Sequence, residues 1–286
     1  MLKGITILNS YDIITPTSYI IPTMVDNKII KQLDHTKLQN IQKNFDKKYS
    51  NLLIDKEFKY SVPYAFSITG LMYQKNVVPE NFDMSKVSYL CITNSFWQNR
   101  VCILNDIREI IGISLLENGY LVNSTDQNEI IKATKTAIIL KNSSKKMDNE
   151  MYKNGIASGE IFIGMAYNSD AIQVMSETDT IGFTIPEKTT CSFDEFSISI
   201  NSKNEDLAYK FIDYFYEQEI AAKNVEYIYT TMPIKEIEKL ISKDLPNRSL
   251  VLPSSEILSR CFLINAIDSN ANALYNKAWD EIKATK

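Results

Sequence analysis

The hydrophobic and polar positions of the chain alternate between short apolar runs and stretches with helical spacing. The clearest unit is residues 101–120, where a short apolar run is broken by Asn105 and Asp106. Apolar residues then recur at the spacing of a helix as far as Gly119. The pattern predicts a buried strand that leads directly into an amphipathic helix.

Two carboxylates stand at the predicted start of this helix. Asp106 and Glu109 are three residues apart, which is the spacing of a capping box in which Asp replaces Ser or Thr. The same position suits a cationic ligand, because the helix dipole and the free N–H groups hold carboxylates in the ionised form. The two residues by themselves leave both interpretations open.

The rest of the chain continues the alternation of strands and helices, which predicts an α/β fold with parallel sheets. In the helix predicted at residues 205–215, a packing side is formed by Leu207, Ala208, Phe211, Ile212 and Phe215. Further strands are predicted near residues 11–15, 60–73, 161–167, 181–185 and 192–200, and further helices near 125–140, 151–158, 168–176, 221–229, 234–241, 254–263 and 269–286.

Composition and charge narrow the range of partners. The net charge of -4 argues against nucleic acid and is compatible with a cationic partner. The four cysteines are scattered without CxxC spacing, so neither a metal site nor a disulfide framework is predicted. His35 is the only histidine and is interpreted as a surface or cap residue. The N-terminus lacks the profile of a signal peptide.

Motifs that carry catalysis are absent, and the sequence predicts neither an enzyme nor a cofactor. The patterns GxxxxGK[ST], GxGxxG, GxSxG and HExxH do not occur. A rival hypothesis makes Asp106, Glu109 and Asp194 acid and base groups of an enzyme. It would need a nucleophile or a metal, and the sequence offers no partner of either kind that can be placed.

Four further positions are candidates for ligand contact or for simple packing. Tyr167 ends a predicted strand, where ligands collect in α/β sheets. Asp194 lies in an otherwise apolar strand, so it either faces a cavity mouth, is paired, or is solvated. Tyr64 and Phe66 either face a cleft or pack in a core.

An ordered run of segments resembles the periplasmic spermidine/putrescine-binding proteins of ABC importers. The segments are YDIITPTSY, KYSVPYAFSITGLMYQKN, ILNDIREIIGISLLENGYLVNSTD, GEIFIGMAYNSDA, FDEFSIS and NEDLAYKFIDYF. The resemblance implies a two-lobed, type II-like periplasmic-binding-protein fold, in which each lobe is a mostly parallel sheet flanked by helices. It also implies a monomer that encloses a polyamine between the lobes and delivers it to a membrane permease.

The resemblance assigns ligand contacts residue by residue. Asp106, Glu109 and Asp194 match carboxylates that meet ligand amines, whereas Tyr167 matches an aromatic wall that is usually Trp. Ser192 stands where the family commonly has a Trp. The predicted ligand-binding residues are Thr17, Tyr19, Asp106, Glu109, Tyr167, Asp194 and Tyr229.

The resemblance also predicts how the lobes divide the chain. Residues 1–73 with 193–243 are expected to form the first lobe, and residues 74–192 with 244–286 the second. The chain begins at the second strand region of the family, so the first lobe is expected to be truncated. The complete product is expected to be periplasmic or membrane-anchored outside the cytoplasm. Two alternatives to polyamine binding remain. The same fold binds another small cationic or amino-containing solute, or the chain is a truncated remnant that binds no solute.

Overall fold

The computed structural model describes residues 10–97 and 99–285. The N-terminal segment that lacks a signal-peptide pattern therefore lies largely outside the described residues. The chain divides into two compact units. The first unit comprises Met1–Ser67 and Ser192–Leu252, and the second comprises Ile68–Cys191 and Pro253–Lys286. No helix of the described part of the chain is long and apolar enough to cross a membrane.

Strands and helices alternate along the described residues. The strands are β1 Ile13–Ile14, β2 Val62–Gln74, β3 Val101–Ile103, β4 Lys146–Met147, β5 Ile163–Tyr167, β6 Ile181–Thr184, β7 Thr189–Ile198 and β8 Cys261–Leu263. The helices are α1 Ile21–Asp26, α2 Gln39–Asn44, α3 Ile107–Glu117, α4 Gln127–Ser143, α5 Tyr152–Ala157, α6 Asn168–Glu177, α7 Glu205–Phe215, α8 Gln218–Ile228, α9 Ile237–Leu240, α10 Arg248–Val251, α11 Ser255–Ser259 and α12 Ser269–Ala284.

The β3–α3 unit confirms the prediction made from its hydrophobic pattern. Val101–Ile103 is buried, and Asp106 is the N-cap of α3. Gly119 ends the segment with φ of 80°, a left-handed conformation that costs glycine little. The helix is buried along most of its length, so its position follows from packing in the second unit.

In the first unit, β1 pairs antiparallel with β7, placing Ile13 opposite Ile198. Phe66 and Phe193 pack against Tyr49 in its core, with ring centroids 4.9 to 6.0 Å apart. The core interpretation is therefore correct for Phe66.

Helix α7 contradicts part of the predicted packing side. Ala208 and Ile212 are buried, but Leu207 is 64% exposed and Phe211 is 45% exposed. Only part of the apolar side of this helix is therefore buried, and Leu207 and Phe211 lie outside the buried part.

The second unit contains a mixed sheet, which corrects the expectation of a mostly parallel one. Strand β2 pairs antiparallel with β5 and with β6, whereas β3 pairs parallel with β4 and with β5. Strand β8 pairs parallel with the first residues of β7. The helix predicted at 254–263 is divided, because α11 ends at Ser259 and residues 261–263 form β8.

Candidate functional site

Thr17 and Asp194 are brought together in the first unit by an antiparallel bridge. The Thr17 hydroxyl donates a hydrogen bond to Asp194 Oδ1 at 3.1 Å. Burial raises the pKa of the Asp194 carboxyl, and the bond from Thr17 acts in the opposite direction. No lysine or arginine of the described residues forms an ion pair with Asp194. Asp194 is therefore an enclosed acid that accepts a hydrogen bond from a neutral hydroxyl and forms no ion pair among the described residues.

Tyr64 lies close to the same carboxylate. Burial raises the pKa of Tyr64, and the negative charge of Asp194 adds to this rise. The Tyr64 hydroxyl donates to Asn224 Oδ1 at 3.0 Å, which connects this corner of the first unit to helix α8. Tyr64 was recognised in the sequence as a residue that could face a cleft, but not as a neighbour of Asp194.

Two other predicted contacts also lie in the first unit. Tyr19 is half-buried in the 3₁₀ turn Ser18–Ile20, two residues after Thr17. Tyr229 follows the last residue of α8 as its C-cap and has φ of 53°. A tyrosine in this left-handed conformation is uncommon, because its Cβ crowds the backbone there.

In the second unit, Asp106 and Glu109 separate into two different roles. Asp106 accepts hydrogen bonds from the backbone N–H groups of Arg108 at 2.8 Å and Glu109 at 3.0 Å. The N-cap interpretation is therefore correct for Asp106. Glu109 does not complete a capping box, because its Oε2 instead accepts bonds from the hydroxyls of Thr69, at 3.0 Å, and Thr190.

The surroundings of Glu109 favour its neutral form. The residue is 3% exposed, and burial raises its pKa to about 7. The nearby charge of Asp106 contributes to this rise, whereas the two threonine hydroxyls and Arg108 oppose it. A carboxyl with this pKa changes its ionisation near neutral pH, so a cation brought close to it would favour the ionised form.

Tyr167 lies at the same edge of the sheet as this acidic pair. Strands β3 and β5 run parallel, with Val101 opposite Ile163, so their carboxyl ends meet at one edge. Tyr167 is opposite Thr69 on β2, and Thr69 is the residue that donates to Glu109. The structure thus places Asp106, Glu109 and Tyr167 in one region of the second unit.

Sequence reasoning missed the residues that hold these acids. Thr69 and Thr190 are far from Glu109 in the sequence, so only strand pairing brings them to it.

Glu195 is a further buried acid that the sequence pattern does not reveal. It is 1% exposed, accepts a bond from the Ser61 hydroxyl, and has no hydrogen-bond partner at Oε1 among the described residues. Burial raises the pKa of Glu195 to about 7.

Within residues 10–97 and 99–285, no group of three or more His, Cys, Asp or Glu side chains is placed to hold a metal ion. The hydrogen-bond donors described above for Asp106, Glu109 and Asp194 are hydroxyl and backbone N–H groups.

Comparison with known proteins identifies the family. The sequence profile described as "Bacterial extracellular solute-binding protein" matches residues 7–245. The chain belongs to this family. Its members bind solutes for transport, so the role of the chain is solute binding rather than catalysis.

Relatives and solved structures agree with this membership. The chain is 27% identical over 279 residues to "Spermidine/putrescine-binding periplasmic protein 1" of Haemophilus influenzae, covering 96% of this chain and 76% of that protein. It is 25% identical to the "Putrescine/cadaverine-binding protein" of Pseudomonas aeruginosa, covering 96% and 80% respectively. A putative spermidine/putrescine ABC transporter structure from Listeria monocytogenes superposes with a TM-score of 0.88 at 24% identity, covering 100% of this chain and 88% of that one. This likeness confirms the predicted fold class.

Proposed function

We propose that this protein binds a polyamine of the spermidine or putrescine type as the solute-binding component of an ABC importer and delivers it to the membrane permease. The observation that carries the proposal is Asp194, an enclosed carboxylate with a hydroxyl partner and no ion pair among the described residues. Burial without a cation disfavours the ionised carboxylate. An ammonium group of the ligand would supply the missing positive charge and a charge-assisted hydrogen bond.

The second unit supports the same ligand class through Glu109. Its carboxyl accepts hydrogen bonds from two neutral hydroxyls. Because its pKa is about 7, the carboxyl is only partly ionised at neutral pH. A buried carboxylate contributes to binding only when its desolvation is offset by a cation and hydrogen bonds, which a primary ammonium provides. Asp106 lies beside Glu109, so a second negative charge is available there.

Tyrosine side chains are suited to the methylene chain and the ammonium groups of such a ligand. We assign Tyr19, Tyr167 and Tyr229 to this role and Thr17 to holding Asp194. A ring face in contact with an ammonium group contributes about 0.5–2 kcal/mol, depending on desolvation. The names of the Haemophilus and Pseudomonas relatives support the ligand class, since both refer to polyamines or diamines.

One observation favours a second candidate, another small cationic or amino-containing solute. Ser192 is buried and provides no ring where the resembled family commonly has Trp. Without a ring at this position the solute would contact less aromatic surface, which would suit a shorter or differently shaped amine.

We also propose the setting in which the protein acts. It works outside the cytoplasmic membrane, a location that the family description and the periplasmic relatives support. We propose that it works there as a monomer, as the resemblance implies. The two compact units correspond in this proposal to the two lobes expected from the sequence.

Isothermal titration calorimetry with putrescine, cadaverine and spermidine tests the function, with glutamine as a neutral-side-chain control. We expect saturable binding of at least one polyamine with one ligand per chain. A cooperative thermal melt first establishes that the protein is folded. Folded protein that gives no heat with any of the three amines would remove the polyamine proposal, and binding of glutamine alone would replace the ligand class.

A further inference from the structure

Two thiols are neighbours in the second unit, on adjacent parallel strands. Strands β7 and β8 pair with Thr189 opposite Cys261 and Cys191 opposite Leu263. Because side chains alternate along a strand, Cys191 and Cys261 project from the same face of this pair. They are diagonal neighbours across this pair of strands. The Cys261 thiol donates a hydrogen bond to the Ile257 carbonyl oxygen at 3.2 Å.

We propose that Cys191 and Cys261, which are free thiols in this structure, form a disulfide bond when the protein meets an oxidant. Disulfides persist in the compartments outside the cytoplasmic membrane, where proteins of this family are described. The inference does not depend on the identity of the solute.

The geometry allows the bond after a small movement. Diagonal neighbours in a sheet have Cα atoms roughly 7–8 Å apart, whereas disulfides usually join Cα atoms about 4.4–6.8 Å apart. Because the two residues are offset along the strands, β8 must slide along β7 by roughly 1–2 Å to bring the Cα atoms within this range. Strand β8 is suited to this shift, because it has only three residues and all of them are partly exposed.

The two thiols differ in how readily they react. Cys261 is partly exposed, whereas Cys191 is 1% exposed. The neighbouring Cys261 thiol and burial raise the pKa of Cys191 well above its usual range. We therefore assign the first step to Cys261 and the slower second step to Cys191.

The reaction is a thiol–disulfide exchange with a low-molecular-weight disulfide such as glutathione disulfide. The Cys261 thiolate attacks one sulfur of the oxidant, forms a mixed disulfide and releases one glutathione thiolate. The Cys191 thiolate then attacks Sγ of Cys261 and releases the second. The two protein thiols lose two protons and two electrons, and the oxidant is reduced to two glutathione molecules.

The position of the pair gives the bond a structural consequence. Cys191 is the last residue of the second unit before the chain passes into Ser192–Leu252, and the chain returns at Pro253 shortly before Cys261. The disulfide would close the loop that contains this whole segment of the first unit. Constraining a long loop in the unfolded chain stabilises the folded protein.

Peptide mapping of the full chain tests the proposal, because trypsin places the four cysteines on different peptides. Folded protein is treated with glutathione disulfide at about pH 8.5, at which thiolates form readily, and the remaining thiols are alkylated before unfolding and digestion. We expect a linked species joining residues 189–203 to residues 261–277, and its loss after reduction. The melting temperature should rise by several degrees on oxidation and return on reduction.

Matched variants separate this bond from general oxidation. Cys191→Ser should abolish the linked peptide, and Cys102→Ser should retain it. If either variant fails to fold, the map of the unsubstituted chain decides the question. A stable glutathione adduct on Cys261, or linkage of either cysteine to Cys91 or Cys102, would overturn the proposal.

Discussion

Glu109 combines nearly complete burial with partners that carry no formal charge. The hydroxyls of Thr69 and Thr190 can donate to its ionised form, but they cannot neutralise it. Its pKa near 7 follows from this arrangement. Under the proposed function, a ligand ammonium would lower that pKa, because an opposite charge nearby favours ionisation.

Binding of the polyamine is therefore expected to release protons from Glu109. At pH 7 about half of the free protein carries this proton, so the release should approach half a proton per ligand. Calorimetry at pH 7 in buffers with small and large ionisation enthalpies measures the release. Glu109→Gln should remove it, and Glu129→Gln, at a partly exposed position of α4, should preserve it. Equal heats in the two buffers would contradict the coupling.

Asp194→Asn is expected to weaken polyamine binding about 10- to 100-fold, the loss expected for a charged hydrogen-bond partner. The amide oxygen can still accept the bond from Thr17, so the local geometry is retained. The ligand-free variant should be at least as stable as the unsubstituted chain, because no carboxylate needs to be desolvated. Titration calorimetry and thermal melts measure the two effects.

The control for this substitution is Asp206→Asn, which removes an exposed acid that pairs with Lys37. Its affinity should stay within about twofold of the unsubstituted chain, since exposed pairs contribute little. Equal losses in both variants would indicate a long-range charge effect and would reject Asp194 as a ligand contact.

At the scale of single elements, the start of α3 permits capping to be separated from binding. Asp106→Ala removes the N-cap and should destabilise the protein by about 1 kcal/mol. Asp106→Ser keeps a capping oxygen but removes the negative charge, so stability should be largely retained. If Asp106 also meets the ligand, both variants should lose affinity. Denaturant melts and calorimetry distinguish these outcomes, and unchanged affinity in Asp106→Ser would leave only the capping role.

The sequence predicts the elements best where one periodic pattern is uninterrupted. The β3–α3 unit and helix α4 are recovered because the spacing agrees with an aspartate N-cap, Asp106 or Asp126. Helix α7 is recovered from its spacing alone, since Asn204 makes no side-chain cap bond. The division of the region 254–263 into α11 and β8 is missed, because β8 is defined by its pairing with β7. The mixed character of the sheet is missed for the same reason.

The candidate site was predictable only as separate residues. Spacing offers capping or ligand binding for Asp106 and Glu109, and the strand pattern marks Tyr167 and Asp194 as candidates. The resemblance adds Thr17, Tyr19 and Tyr229. None of these indicates that Glu109 is held by Thr69 and Thr190, since these contacts arise from strands distant in the sequence. The burial of Glu195 is likewise invisible, because an acid on a strand is usually solvated.

At the scale of the whole molecule, two of the three changes of unit along the chain fall within strands. Strand β2 continues through Ser67 and Ile68 without interruption, and β7 continues through Cys191 and Ser192. No glycine, proline or polar loop marks either point, so composition gives no signal for these boundaries.

Buried acids in both units should make global stability fall as the pH rises from about 4.5 to above 7. Glu195 has a folded-state pKa of about 7, above the value of roughly 4.3 in an unfolded chain, so the folded state binds more protons in this interval. Its contribution is complete below pH 4.3 and is lost as the pH rises through 7, with a magnitude of about 4 kcal/mol. Glu109 acts in the same direction.

Denaturant unfolding at pH 5, 6, 7 and 8 measures this dependence, at pH values chosen to span the interval. Glu195→Gln should reduce the slope, because the amide does not titrate in this range. Glu129→Gln, at a partly exposed position, provides the matched control and should leave the slope unchanged. A slope that is the same in Glu195→Gln and in the unsubstituted chain would show that Glu195 does not titrate with folding.

Tyr229 has a consequence for how this protein can diverge. Its backbone has φ of 53°, where glycine or asparagine is accommodated at lower conformational energy. Selection for folding alone would thus favour loss of the ring, since the simplest stabilising replacement is also the smallest residue. Under the proposed function, contact with the solute opposes that replacement. In homologues that no longer bind the solute, Tyr229 should be substituted early, before residues of the packed core begin to change.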